Sequence, residues 1–118
     1  MRYMLLIYLD EQALGETERQ ECYVESAQLA QEIHSRGQYL AAAPLHPTST
    51  ATSIRVRDGK RLVTDGPFAE TREQLGGYFL IEARNLDEAM DIAARIPMAR
   101  KGTVEVRPVI DVAGLPGK

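Results

Sequence analysis

The chain has 118 residues, 44% apolar and 26% charged, with 14 basic and 17 acidic side chains and a net charge of −3. That length suits one domain with its own core, and the absence of a concentrated positive surface argues against general nucleic-acid binding. No apolar run approaches the ~20 residues that span a bilayer, and Met4 to Leu9 is too short for a signal-peptide core and is followed at once by Asp10-Glu11, so a cytoplasmic location is expected.

Arg2 to Leu9 reads as a strand that is apolar on both faces, with Tyr3, Leu5, Ile7 and Leu9 on one and Met4, Leu6 and Tyr8 on the other. Such a run calls for cover on both sides. A helix is expected from Thr17 to Arg36, with Thr17 as N-cap, Gly37 as the residue that ends it, and a stripe of Cys22/Tyr23, Ala27, Leu29/Ala30 and Ile33. Cys22 is the only cysteine, so no internal disulfide or cysteine metal cage can form, and it reads as a reduced, half-buried helix thiol. Gln38 to Ala43 reads as a second strand, stopped by Pro44-Leu45-His46-Pro47.

Asp58-Gly59-Lys60 between Thr52–Arg57 and Arg61–Thr64 predicts a hairpin. A polar loop, Asp65 to Gln74, follows, and then the apolar strand Leu75 to Ala83. Asn85 is expected to cap a helix over Leu86 to Ile96, with Glu88 three residues on, a stripe of Leu86, Ala89/Met90, Ala93 and Ile96, and Pro97 to end it. Thr103 to Ile110 alternates as an edge strand should, and Pro108 fits an edge. The tail, Ala113 to Lys118, is expected to fray.

The order βαβ, hairpin, βαβ predicts an α+β, ferredoxin-like split βαβ sandwich with a β-hairpin insertion. Right-handed crossovers put the strands from Arg2 and from Leu75 at the centre of the sheet. Both helices then cover one face, leaving an apolar patch on the other, and a homodimer joined through the sheet faces is the simplest way to cover it.

Asp65-Gly66-Pro67-Phe68, Ala69-Glu70-Thr71, Glu73 and Leu75-Gly76-Gly77 form the most distinctive segment, a constrained turn seated on a buried strand. On these residues the chain resembles the YCII-related family, in its DGPF branch, over nearly its whole length. The resemblance implies a dimeric α/β barrel and a His–Asp pair in a small cleft. It also implies a genetic neighbourhood of extracytoplasmic-function sigma factors, and so a regulatory context.

Asp65 and His46, both in loops beside strand ends, are the candidate catalytic pair: a carboxylate holds an imidazole in one tautomer and suits it to proton transfer near neutral pH. The competing reading is an aspartate capping its own turn and a surface histidine beside a proline. Glu70 and Glu73 could join Asp65 in a three-carboxylate site for acid–base work or a hard cation, or be solvated charges. Arg55 and Arg57 share one hairpin face and, with Arg72, could bind an acidic ligand, or pair with Glu70 or Glu73. Tyr8, Tyr39 and Tyr78 could line one cleft for an aromatic ligand, or serve the core and interface. His34 lacks a second histidine at metal-binding spacing and reads as surface. No metal, haem, flavin or phosphate-loop motif is present, so no cofactor is expected. Three functions remain open: a small cofactor-free enzyme for proton transfer, a metabolite-binding or regulatory module, and a non-catalytic structural dimer.

Overall fold

The two runs that are apolar on both faces occupy the middle of the main sheet. In the computed structural model, which describes residues 1–117, the elements are β1 (Arg2–Leu9), α1 (Glu16–Ser35), β2 (Tyr39–Pro44), β3 (Thr52–Arg57), β4 (Lys60–Asp65), β5 (Gln74–Glu82), α2 (Leu86–Arg95) and β6 (Thr103–Pro108). Short 3₁₀ turns lie at Thr48–Thr50 and Pro97–Arg100. The four-stranded sheet runs β2-β5-β1-β6 with every neighbour antiparallel, and β3-β4 form a separate two-stranded sheet. This is the α+β, ferredoxin-like order, with the hairpin as an insertion between β2 and β5.

The parity of each strand decides what is buried. Tyr3 and Leu5 of β1 and Phe79 and Ile81 of β5 point to the helices and are almost fully buried. Ile7, Tyr39, Ala42, Val104 and Val106 pack against them. From the helices come Leu29 and Ile33 of α1 and Ala89, Ile92 and Ala93 of α2, followed by Ile96 and Met98. Only one face of each helix is used. Tyr23, Val24, Leu86 and Met90 are exposed, so the expected stripes are corrected: Leu86 and Met90 do not reach the core, and Tyr23 yields to Cys22, which packs half-buried against it.

Helix starts differ from expectation in one place. The N-cap of α1 is Gly15, and Thr17 lies inside the first turn. Glu18 reaches back to accept from the Gly15 N–H, one half of a capping box, while glycine has no side chain to supply the other half. At α2 the Asn85 side chain accepts from the Glu88 N–H at 2.9 Å, as expected. Glu88 bonds one residue further back, to the N–H of Arg84.

Two bulges shift the register. Ile7 faces Gly77 while Tyr8 faces Leu75, which leaves Gly76 as the extra residue on β5. Tyr39 faces Ile81 while Ala41 faces Leu80, which leaves Leu40 as the extra residue on β2. The glycines have steric reasons. A β-carbon on Gly76 would fall 2.1 Å from the Leu9 side chain, and one on Gly77 3.0 Å from the Ala43 carbonyl oxygen.

The hairpin turns through Asp58 and Gly59, both at positive φ (51° and 74°), as a two-residue type I′ loop requires. Lys60 therefore belongs to β4 and pairs with Arg57. Every residue of β4, and all of β3 except Ser53, is exposed. β3 and β4 touch little beyond one another. The hairpin is an arm, and the radius of gyration registers it: 16.0 Å, against about 13.5 Å for a compact chain of this length. Residues 113–117 are exposed and carry no regular element; Lys118, the last residue of the expected tail, lies outside the described residues.

Candidate functional site

The uncovered side of the sheet is as ordered as the covered one. Opposite partners share a face, so Met4 with Leu80 and Leu6 with Tyr78 stand on the side away from the helices, joined by Ala41 and Ala43 of β2. All of these are only half-buried. Beyond the Gly76 bulge, Tyr8 joins the same face opposite Leu75 and Thr103. Tyr8 and Tyr78 are thus diagonal neighbours on one surface. Tyr39 is not with them: it pairs with Ile81 on the helix side and meets the exposed His34 edge-on, ring centroids 6.0 Å apart. The expectation of three tyrosines in one cleft is corrected to two, because the Leu40 bulge fixes the parity of β2.

One end of this sheet gathers the loops. Glu11, just past β1, accepts from both the N–H (3.0 Å) and the hydroxyl (2.6 Å) of Thr48, which ties down the segment carrying His46. On the other side of His46, the Leu45 N–H donates to the Gly76 carbonyl at 2.9 Å. The turn after Asp65 is tied to the same segment: Gly66 N–H donates to Ala51 O at 2.7 Å, and Ser53 Oγ donates to Gly66 O at 2.9 Å. Arg72 reaches Asp10, and Thr103 donates to Glu73 at 2.8 Å. The segment carrying His46 is therefore tied on both sides to the end of the sheet where Tyr8 lies, and the turn after Asp65 is tied to the residues that follow that segment.

The hydrogen bonds sort the acids of this region. Asp10, Glu11 and Glu73 are engaged by Arg72, Thr48 and Thr103. Asp65 and Glu70 are exposed, and among the described residues neither carboxylate accepts a hydrogen bond. The suggested three-carboxylate cation site does not form among the described residues, since Glu73 is drawn across to β6. His46 is exposed, and no hydrogen bond joins it to Asp65.

Arg55 and Arg57 share one face of the arm with Ser53, Lys60, Leu62 and Thr64, and the other face carries Thr52, Ile54, Val56, Arg61, Val63 and Asp65. The Arg55 guanidinium lies 5.3 Å from the centre of the Phe68 ring, a cation–π contact that docks the end of the Asp-Gly-Pro-Phe turn on the cationic face. Arg57 sits near the tip, and among the described residues its side chain bonds only the Val56 carbonyl. Two shallow depressions of about 420 and 530 Å³ lie along α1, one walled by Arg95 and Arg100, and neither includes Asp65, His46 or the tyrosines.

Sequence reasoning missed Glu11 and Asp10 as anchors of the two loops. The signal was there: two acids directly after a buried strand, at the sheet end where loops must be tied. It also missed the Phe68–Arg55 contact, which no spacing encodes. No helix is long and apolar enough to cross a membrane among the described residues.

The family model for the YCII-related domain matches residues 1–113 of the chain. The chain is similar to an uncharacterised protein of Rhizobium meliloti (strain 1021), 37% identical over 114 residues that span 92% of each chain.

Proposed function

The chain belongs to the YCII-related domain family, and we propose that it is a small cofactor-free enzyme, working as a homodimer, in which Asp65 moves a proton on a small molecule. One observation carries this reading. The turn behind Asp65 is held by two hydrogen bonds of 2.7 and 2.9 Å, while its own carboxylate is bonded to nothing among the described residues. A group held in place but not engaged in structure is what proton transfer needs. His46, anchored on both sides by Leu45 and Thr48, is the partner proposed to complete an acid–base pair when substrate is present. Tyr8 and Tyr78 would stack on an aromatic or hydroxylated substrate, and Glu70 is a second unengaged carboxylate; Arg55 and Arg57, on the arm face opposite Asp65, would draw in an acidic substrate by charge without contacting it.

The uncovered face supports the dimer. Met4, Leu6, Leu80, Ala41 and Ala43 form an apolar surface with no layer over it among the described residues, and pairing with the same face of a second copy is the closed, symmetric way to cover it, with Tyr8 and Tyr78 then lining the cleft between the two faces. A cytoplasmic location belongs to the same proposal.

The exposure of Asp65 and His46 on the single chain favours a second reading, metabolite binding without turnover in a regulatory role. Thermal-shift screening against small aromatic and hydroxylated acids separates the two. A stabilising compound that NMR shows converted to product, with conversion abolished by Asp65→Asn, supports the enzyme. A compound that stabilises and is recovered unchanged supports the binding module. Conversion that persists in Asp65→Asn sinks the proton-transfer role.

A further inference from the structure

Resting on the dimer proposed above, we infer that the β3–β4 arm reaches across to the second copy and packs its Ile54–Val56–Val63 face against it, so that two arms clasp the dimer reciprocally. On the single chain this face has no reason to exist. Ile54 and Val56 are each 59% exposed and Val63 is 55% exposed, on one side of a ribbon that touches little else in its own chain. An isolated two-stranded hairpin is marginal in water and needs a surface to lie on.

Its charge points to the same occupant. Residues 52–65 contain four cationic side chains (Arg55, Arg57, Lys60, Arg61) and two acids (Asp58, Asp65), and the rest of the chain keeps ten cationic against fifteen acidic. The arm is thus net +2 and the body net −5, with the positive charge concentrated at the tip, farthest from its own body. Of the four cations only Arg61 lies on the Ile54–Val56–Val63 face, so the attraction a second copy offers is the overall one between a +2 arm and a −5 body, and the symmetry of the exchange satisfies both arms at once.

Area gives the third argument. Four strands spaced about 4.8 Å apart and paired over about 20 Å present roughly 400 Å² per copy, whereas a stable interface takes about 800 Å² per partner. The sheet faces alone fall short. Each copy that both lends and receives an arm adds the surface of a hairpin of this length twice.

The test is sedimentation equilibrium on the full chain, on the double variant Ile54→Ser/Val63→Ser, and on a chain with residues 54–63 replaced by Asn-Gly. Wild type should be a dimer, and both variants should raise the dimer dissociation constant at least tenfold. Raising the salt should weaken wild type more than the arm-deleted chain. A monomeric wild type overturns the sheet-face dimer and the arm with it. A dimeric wild type with unaltered variants overturns the arm alone and leaves the dimer. A second measurement does not depend on how the variants fold: with p-benzoylphenylalanine replacing Val56, irradiation should yield a product of twice the chain mass. Attachment only within one chain overturns the inference.

Discussion

Gly66 donates its backbone N–H to the carbonyl of Ala51 across 2.7 Å, and that bond closes the base of the arm and, with the Ser53 hydroxyl on the Gly66 carbonyl, fixes the turn that follows Asp65. Gly66 adopts φ +105° to make it, a conformation open to glycine and strained for other residues. Gly66→Ala should therefore destabilise the turn by about 1–3 kcal/mol. Amide hydrogen exchange should rise at Gly66, Ser53 and along β3–β4, and leave β1 and β5 protected.

Gly102 should be the least replaceable glycine. A β-carbon there would sit 2.2 Å from the Tyr8 carbonyl oxygen and 3.3 Å from the Leu9 Cα, both backbone atoms of a central strand that cannot swing away. At Gly77 the nearest atom would be 3.0 Å away. Urea unfolding should give a loss of about 3 kcal/mol for Gly102→Ala and about 1 kcal/mol for Gly77→Ala. The reverse order would mean that the β1–β6 end of the sheet yields more easily than its centre.

Neighbours in sequence should behave oppositely. Leu5 is fully buried under the helices, and Leu5→Ala should cost about 2–5 kcal/mol of stability. Leu6 faces the uncovered side opposite Tyr78. Leu6→Glu should leave the fold intact by circular dichroism while light scattering reports a monomer at micromolar concentration. A dimer that survives Leu6→Glu places the contact elsewhere.

Asp65→Asn should be nearly neutral for stability, within about 0.5 kcal/mol, because its exposed carboxylate accepts no hydrogen bond among the described residues. Glu11→Gln should behave differently. It replaces one of the two carboxylate oxygens that accept from Thr48 with an NH₂ that cannot accept, and proteolysis should then increase in the 45–51 segment. A clear stability loss in Asp65→Asn would assign Asp65 to the turn and not to chemistry.

Acid should loosen α1 from the turn that follows α2. The Arg100 guanidinium, bidentate on Glu25 at 2.9 and 3.0 Å, holds that carboxyl below its usual range. Lys101, then the Gly15 N–H, does the same to Glu18. Both folded values lie below the unfolded one, so this stabilisation is fully present above the ordinary glutamate value of about 4.3 and is lost as pH falls below it. Glu88, held low by the Arg84 N–H and then its guanidinium, adds in the same direction. Melting temperatures taken down to about pH 3 should fall in this window, and fall less steeply in Glu18→Gln/Glu25→Gln, which begins lower at neutral pH.

Much of the fold was legible because alternation and turn chemistry are local. Two strands apolar on both faces had to be central, and Asp58-Gly59 had to close a hairpin. The site was less legible. Asp65 and Glu70 look no different in sequence from Asp10, Glu11 and Glu73, and only distant donors, Arg72, Thr48 and Thr103, distinguish them.

The sequence by itself determined the elements, their order and the centre of the sheet, since side-chain period and crossover handedness depend on neighbours along the chain. Only the tertiary structure decided which face the helices took. A strand apolar on both sides carries no preference; the Leu6–Tyr78 pairing puts Tyr78 on the face of Tyr8, and the Leu40 bulge separates Tyr39, packed against the core on the helix side, from Ala41 and Ala43 on the other face. It also decided that the hairpin stands away from the main sheet. β3 and β4 satisfy their ladder with each other, so nothing local draws them back to their own chain.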